Sequence, residues 1–339
     1  MSRRTLSREH YTIGIICALE IERRAVHATL DEEHGMVRRT TGDDNDYVFG
    51  RIGTHNVVVA CPPVGVVNKL PAATVARDMM HSFPIKCSLM VGVGGGVWSE
   101  RIDIRLGDVV VSDPNRMHGG VVEWNHDNTK RDGMWRFGTL NKPPWPLLDV
   151  VQSLKARHML EDGGVGANLE VMFAKYPQLR DKYRHQGQEH DELFDAGYTH
   201  AGGDTCADCD RSRIVQDRPH RTDEGPRIHY GNIASSTEVV GYGWTRDRIA
   251  QEEGILCFET EAAGLMDTFP CVVIRGVCDY ADTHKNTRWE GYAAAVAAAY
   301  AKELLLWMRA TDVARMSPAS EVTGISGNIE SRSEPPIID

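Results

Sequence analysis

The chain has 339 residues, 41% hydrophobic and 25% charged, with a formal net charge of −10. That length suits one large domain or two modest ones, and the composition is ordinary for a soluble globular protein. The acidic balance argues against a nucleic acid polymer as partner, because such binding needs a basic surface.

The N-terminal MSRRTLSREH lacks the apolar core of a signal peptide, so residues 1–10 read as a flexible lead. A buried strand is expected over Tyr11–Ala18, followed by a helix ending near Gly35. YVFGRIG and NVVVACPPVG read as an antiparallel pair, and NKLPAATVARDMMHSF as a helix with Pro71 in its first turn. CSLMVGVGGGV and LGDVVVSD are strand-like, and this alternation points to an α/β domain with a mainly parallel sheet. Amphipathic helices are expected over PPWPLLDVVQSLKARHML and around NLEVMFAKYPQLRDKYRH. Residues 197–226 are polar and nearly free of large apolar side chains, the composition of a surface insertion. Core-like sequence resumes at IHYGNIASSTEVV, and a helix is expected around TRDRIAQEE. An Ala-rich helix spans about 291–310, and 312–339 reads as a disordered tail. That Ala-rich helix is interrupted by Lys302 and Glu303 and is short for a bilayer, so no membrane partner is expected. Cys17, Cys61, Cys87, Cys257 and Cys271 sit in apolar runs and read as buried thiols of a reducing, intracellular compartment.

The most informative stretch is CFETEAAGLMDTFPCVVIRGVCDYAD, residues 257–282. Glu259 and Glu261 close an apolar run, and Asp279 ends the next one. Ligands of α/β sheets bind at the carboxyl ends of strands, so these acids are expected to converge. Acids there suit a substrate with hydroxyls to grip and a leaving group to protonate, as in a ribose carrying a base.

IGIICALEIE, VGVGGGV, LGDVVVSD, RFGTLNKPP, IHYGNIAS, CFETEAAG and VIRGVCDYAD, in this order over roughly residues 11–310, resemble the nucleoside phosphorylase and nucleosidase superfamily. The likeness is strongest to the methylthioadenosine/S-adenosylhomocysteine nucleosidase branch and to nucleoside phosphorylase-like domains of fungal signalling proteins. The resemblance implies an α/β fold, a single-domain three-layer sandwich around a mixed, partly closed sheet, over residues 11–311. It also implies assembly as a dimer or larger homo-oligomer, a cytoplasmic setting, no cofactor and no active-site metal.

The resemblance assigns Asp279 to protonation of purine N7, the plain alternative being a helix-capping aspartate. It places Glu261 on the ribose 2′- and 3′-hydroxyls with Glu259 in support, and Glu22 on the attacking water. A plain helix-start glutamate is the alternative for Glu22. Thr260 stands where relatives carry a methionine beneath the sugar, and Val93 where they carry a serine. Gly94 and Gly95, with Gly92 and Gly96, are expected in a loop beneath the ribose, although glycines also make tight turns. Ser235, Ser236, Thr237, Val239 and Phe258 are candidates for the base site. Arg116 and His118, then Arg131, Arg136 and Lys142, are candidates for the sugar 5′ end or a 5′-phosphate, with solvated basic surface as the alternative. Cys206 and Cys209, with His200 and His220 nearby, are weighed as a zinc site and read as two free thiols.

The expected activity is hydrolysis of the N-glycosidic bond of an adenine-type purine nucleoside or nucleotide, yielding base and ribose or ribose phosphate. The alternatives are a phosphate-dependent phosphorylase, with Arg23 and Arg24 as the nearest cations, and an ATP-cleaving or nucleotide-sensing domain of a fungal signalling system.

Overall fold

In the computed structural model, residues 3–63, 69–126, 134–137, 140–161, 163–203, 205–223, 225–236, 241–285 and 287–322 are described. Among these residues eleven strands form one mixed sheet: β1 Ile13–Ile16, β2 Glu32–Glu33, β3 Tyr47–Ile52, β4 His55–Ala60, β5 Cys87–Gly96, β6 Val109–Ser112, β7 Val121–His126, β8 Met134–Phe137, β9 Ile228–Ser236, β10 Ile255–Glu259 and β11 Val272–Asp279. The helices are α1 Glu20–Thr29, α2 Lys69–Ser82, α3 Trp145–His158, α4 Val165–Lys175, α5 Arg180–Tyr183, α6 Gly243–Glu253, α7 Ala263–Met266, α8 Glu290–Trp307, α9 Ala310–Arg315 and α10 Ala319–Val322.

The strand order is β2-β3-β4-β1-β5-β11-β6-β9-β7-β8, and β10 bridges β5 and β9. Strands β5, β11, β6, β9 and β10 therefore close into a ring, while the β2–β4 and β7–β8 flanks stay open. Parallel pairs such as β1–β5 and β5–β11 alternate with antiparallel ones such as β5–β10 and β6–β11. The mainly parallel sheet expected from element alternation is thus mixed, as the resemblance implies, because closing the ring sets β10 antiparallel to β5 and β6 antiparallel to β11.

Helix α8 shows why the sheet is covered. Its residues Gly291–Leu305 are all buried, and it packs against β5, β11, α1 and α4. A helix apolar on every side belongs in an interior, and the alanine run permits close approach to the sheet. Helices α2 and α7 pack together, α2 against β1 and α7 against β7.

Residues 3–10 run beside residues 33–40: Gly35 N donates to Arg4 O at 2.8 Å, and Arg3 pairs with Glu33. Of the expected tail, Val313 is buried and Ala319 N donates to Ile85 O at 2.7 Å. Residues 323–339 lie outside the described residues. The insertion is anchored by arginines: Arg221 binds Asp108 and Asp103, and Arg218 binds Asp191. Among the described residues, no helix is long and apolar enough to cross a membrane.

Candidate active site

The two acid-bearing strand ends meet on one residue. Phe258 of β10 and Asp279 of β11 both lie in register with Gly95 of β5, on its opposite flanks. The glycines belong to the strand itself, not to the expected loop, and they are required there by close packing. A Cβ on Gly95 would sit 2.7 Å from Asp279 Oδ1, and one on Gly94 would sit 2.7 Å from Cys257 Sγ. Both separations are far inside van der Waals contact.

Around this floor lies a cleft of about 220 Å³, lined by Glu22, Glu259, Glu261, Asp279, Gly94 and Gly95, with Thr260 and Phe258 on its wall. The acids separated by more than 250 positions in the chain therefore share one cavity.

Glu22 is 1% exposed at the start of α1. Its Oε2 accepts from the N–H groups of Ala18 and Leu19 at 2.7 and 2.8 Å, and its Oε1 from Val93 N at 2.8 Å. Burial pushes its pKa up, against the opposing influence of Arg275 and these N–H groups. Oε1 takes one backbone donor and keeps capacity for another.

Arg275, in the middle of β11, is fully buried and binds Glu259 and Glu261, the latter at 3.3 Å. Glu259 is saturated: it also accepts from the N–H groups of Glu261 and Ala262, closing the start of the turn into α7. Glu261 makes fewer protein contacts, with Thr260 Oγ1 donating to its Oε1. Burial raises the Glu261 pKa, Arg275 opposes the rise and Glu259 adds to it.

Asp279 Oδ1 accepts from Ala281 N at 2.7 Å, a tight side-chain turn that leaves Ala281 at φ +50°. Its Oδ2 faces Lys285 Nζ at 3.6 Å. Lys285 and Glu290 also line the cleft, and both went unremarked in the sequence. The DYAD motif with a lysine six residues after Asp279 was the available signal for the first. Arg275 was equally visible within VVIRGVC, but a charged residue inside an apolar strand gives no hint of its partners.

Other candidates lie elsewhere. Ser235 is buried with its hydroxyl accepting from Ala263 N at 2.9 Å, while its neighbour Ser236 lines the cleft. Thr237, Val239 and Arg131 lie outside the described residues, and Arg136 is placed only as part of β8. His118 is buried against Glu253 at 2.8 Å, Arg116 and Lys142 are exposed, and none of the three lines the cleft. For Arg116 and His118 the reason is topological: β6, which they follow, runs antiparallel to β11 and ends away from the Gly95 floor. Arg23 pairs with Asp46 and Arg24 with Glu20, and neither lines the cleft.

The family model described as the phosphorylase superfamily matches residues 12–306. The chain belongs to the phosphorylase superfamily. It is 42% identical over 309 residues to a nucleotide-binding leucine-rich repeat (NLR)-like protein of Hyaloscypha variabilis, a match covering 89% of this chain and 30% of that protein. The chain thus spans about a third of the length of that relative. It is 24% identical over 300 residues to a 5′-methylthioadenosine/S-adenosylhomocysteine nucleosidase of Mycobacterium bovis, covering 87% and 95% of the two. The nucleosidase of the same name from Neisseria meningitidis, solved with methylthio-immucillin-A, superposes with a TM-score of 0.51 at 16% identity, covering 87% of this chain and 99% of that one. That structural likeness establishes a shared fold, and the phosphorylase-superfamily sheet accounts for the ring of strands around Gly95.

Proposed function

We propose that this chain is a purine nucleosidase, hydrolysing the N-glycosidic bond of an adenine-type nucleoside. The observation that carries the proposal is the convergence of Glu22, Glu261 and Asp279 on one cleft. In this reading the Glu261 carboxylate accepts hydrogen bonds from the ribose 2′- and 3′-hydroxyls and favours positive charge on the sugar as the bond breaks. Asp279 gives its proton to purine N7, so the base leaves neutral with the electrons of the C1′–N9 bond. Water adds its oxygen to C1′ and loses a proton to Glu22, whose raised pKa strengthens it as a base. Phe258 offers an apolar face to the base.

The charge of the cleft supports water over phosphate as nucleophile. Glu22, Glu259, Glu261, Asp279 and Glu290 line it, against Lys285 and the buried Arg275 behind them. Arg275 is committed to Glu259 and Glu261, and Lys285 to Asp279. A phosphate dianion entering there would meet carboxylates with no uncommitted arginine among the lining residues. The same argument favours a nucleoside over a nucleotide.

A second reading rests on the NLR-like relative: the domain cleaves or senses a nucleotide within a larger signalling protein. One experiment separates the readings. The pure protein is incubated in phosphate-free buffer with adenosine, methylthioadenosine, inosine and ATP, and free bases are resolved by chromatography. Adenine release from unphosphorylated nucleosides without phosphate is expected. Release that requires phosphate would establish the phosphorylase, release from ATP alone the nucleotide reading, and binding without turnover the sensor.

A further inference from the structure

The insertion at 197–226 poses a physical problem. It has almost no large apolar residues, yet Cys206 and Cys209 are 8% and 5% exposed, buried with Phe194 in a small cluster separate from the main core. Three buried residues, with Tyr198 and Ile214 packed against them, make a small apolar core for a thirty-residue excursion, and small modules of this kind rely on staples.

We propose that His200, Cys206, Cys209 and His284 bind one zinc ion, which fastens the insertion to the loop that follows Asp279. The ligand atoms of His200, Cys206 and Cys209 lie within 4.8 Å of one another. Zinc sits about 2.3 Å from sulfur and about 2.0 Å from nitrogen, which spaces tetrahedral ligand atoms roughly 3.5 Å apart. His200 Nε2 lies 3.1 Å from Thr205 O and its Nδ1 accepts from Gly202 N at 3.0 Å, so ion binding exchanges one of these contacts for the metal. The chain pattern is His-x5-Cys-x2-Cys, and two thiolates with two imidazoles form a neutral, closed zinc centre of structural type. Binding releases the two thiol protons.

The fourth ligand comes from outside the insertion. His284 packs edge-on to His200 with ring centroids 5.5 Å apart, and stacks on Phe194 at 4.1 Å and 12°. Its side chain is 3% exposed, and neither ring nitrogen has a hydrogen-bond partner among the described residues. Burying an imidazole in that condition is costly unless something else occupies its lone pair. Its Nδ1 lies 3.5 Å from Asp282 Oδ1, the carboxylate relationship that orients metal-binding histidines and leaves Nε2 for the ion. Asp282 is held in turn by Arg246 at 3.6 Å. The two segments already touch, since His200 N donates to Thr283 Oγ1 at 2.9 Å. His220, considered beside the CxxC in the sequence, is exposed, whereas the buried His284 adjoins the three-residue group through its ring contact with His200. In this proposal the two cysteines, free thiols in the structure, serve as metal ligands.

The consequence is local order. His284 follows Asp279 by five residues and adjoins Lys285, so the ion fixes the far end of the turn that carries the Asp279–Lys285 pair.

The test uses the full chain, expressed without an affinity tag in zinc-supplemented medium and desalted. Mass spectrometry of the metal is expected to find about one zinc per chain, and stripping it with a chelator is expected to lower Tm by about 5 °C or more. Cys206→Ser/Cys209→Ser is expected to lose the zinc. His284→Gln, competed against a chromophoric chelator, is expected to weaken zinc binding by about tenfold or more. Should the double serine variant not fold, cobalt substitution of the wild type reads the same thing: visible d–d bands and a thiolate-to-cobalt charge-transfer band. Metal-free protein with both cysteines as thiols or as a disulfide, zinc retained in the double variant, or absent thiolate bands would overturn the site. Unchanged affinity in His284→Gln would overturn its fourth ligand.

Discussion

Arg275 and Glu22 meet across Gly92, where an added Cβ would overlap the Arg275 Nη1 and the Glu22 carboxylate together. One buried guanidinium thereby serves three glutamates, Glu22 from the start of α1, Glu259 from the end of β10 and Glu261 just beyond it. Without it the site would hold three desolvated carboxylates with no counter-ion.

Removing that cation is expected to be costly. Arg275→Met should destabilise the protein by about 3–5 kcal/mol, the usual effect of stripping one partner from a buried ion network. Arg275→Lys should recover part of the stability and little activity, since an ammonium cannot bridge two carboxylates as a planar fork does. Urea denaturation alongside a base-release assay checks both, and a stable Arg275→Met would refute the account.

Glu22→Gln tests the nucleophile. The amide keeps the size of the side chain but points an NH2 group toward backbone donors that now serve a carboxylate. Turnover is expected to fall by about 10²–10⁴-fold, the range for losing a general base. Binding of a non-cleavable nucleoside analogue, followed by calorimetry, should change far less.

The pH profile should carry the mark of Glu261, whose pKa is pushed up to about 7 by burial. Gripping hydroxyls needs the carboxylate, so kcat/KM is expected to rise with pH through that region. The stability linkage has the opposite sign. A raised folded pKa contributes stability below the unfolded value, about 4.3, that is lost as pH rises through about 7. Thr260→Val removes a hydrogen bond that favours the charged form, so its rising limb should move to higher pH. A profile identical in Glu261→Gln would reject the assignment.

Arg221 should decide whether the insertion stays docked. Burial works against the charge on Asp108, yet hydrogen bonds from Arg221 and His229 outweigh it and hold the carboxyl below its usual range. Stability from this pair is present above the unfolded carboxylate pKa, about 3.9, and lost as pH falls through the folded one. Arg221→Ala is expected to cost about 3 kcal/mol and to open residues 197–226 to limited proteolysis. Unaltered cleavage in that variant would show that the arginine clasp does not anchor the segment.

Much of the architecture was legible in the residues. The β-branched runs at Ile13–Ile16 and Val272–Val277 form central strands, and the alanine run of α8 is buried on all sides. Strands β7 and β8 went unread because VVEWNH and MWRF lack clean alternation, and pairing decides their state. After Glu261 the chain forms only the four-residue α7, since Pro270 and β11 follow closely.

By itself the chain determined which residues could do acid–base work and the strand ends on which most of them sit, because those follow from local pattern and short-range chemistry. Only the tertiary structure decided their company. Gly95 takes Phe258 on one flank and Asp279 on the other, Arg275 reaches the glutamates, and His284 comes to lie beside His200. Those meetings depend on how a sheet closes into a ring and how an insertion folds back. Such long-range register is set by the packing of the whole core, and no window of sequence contains it.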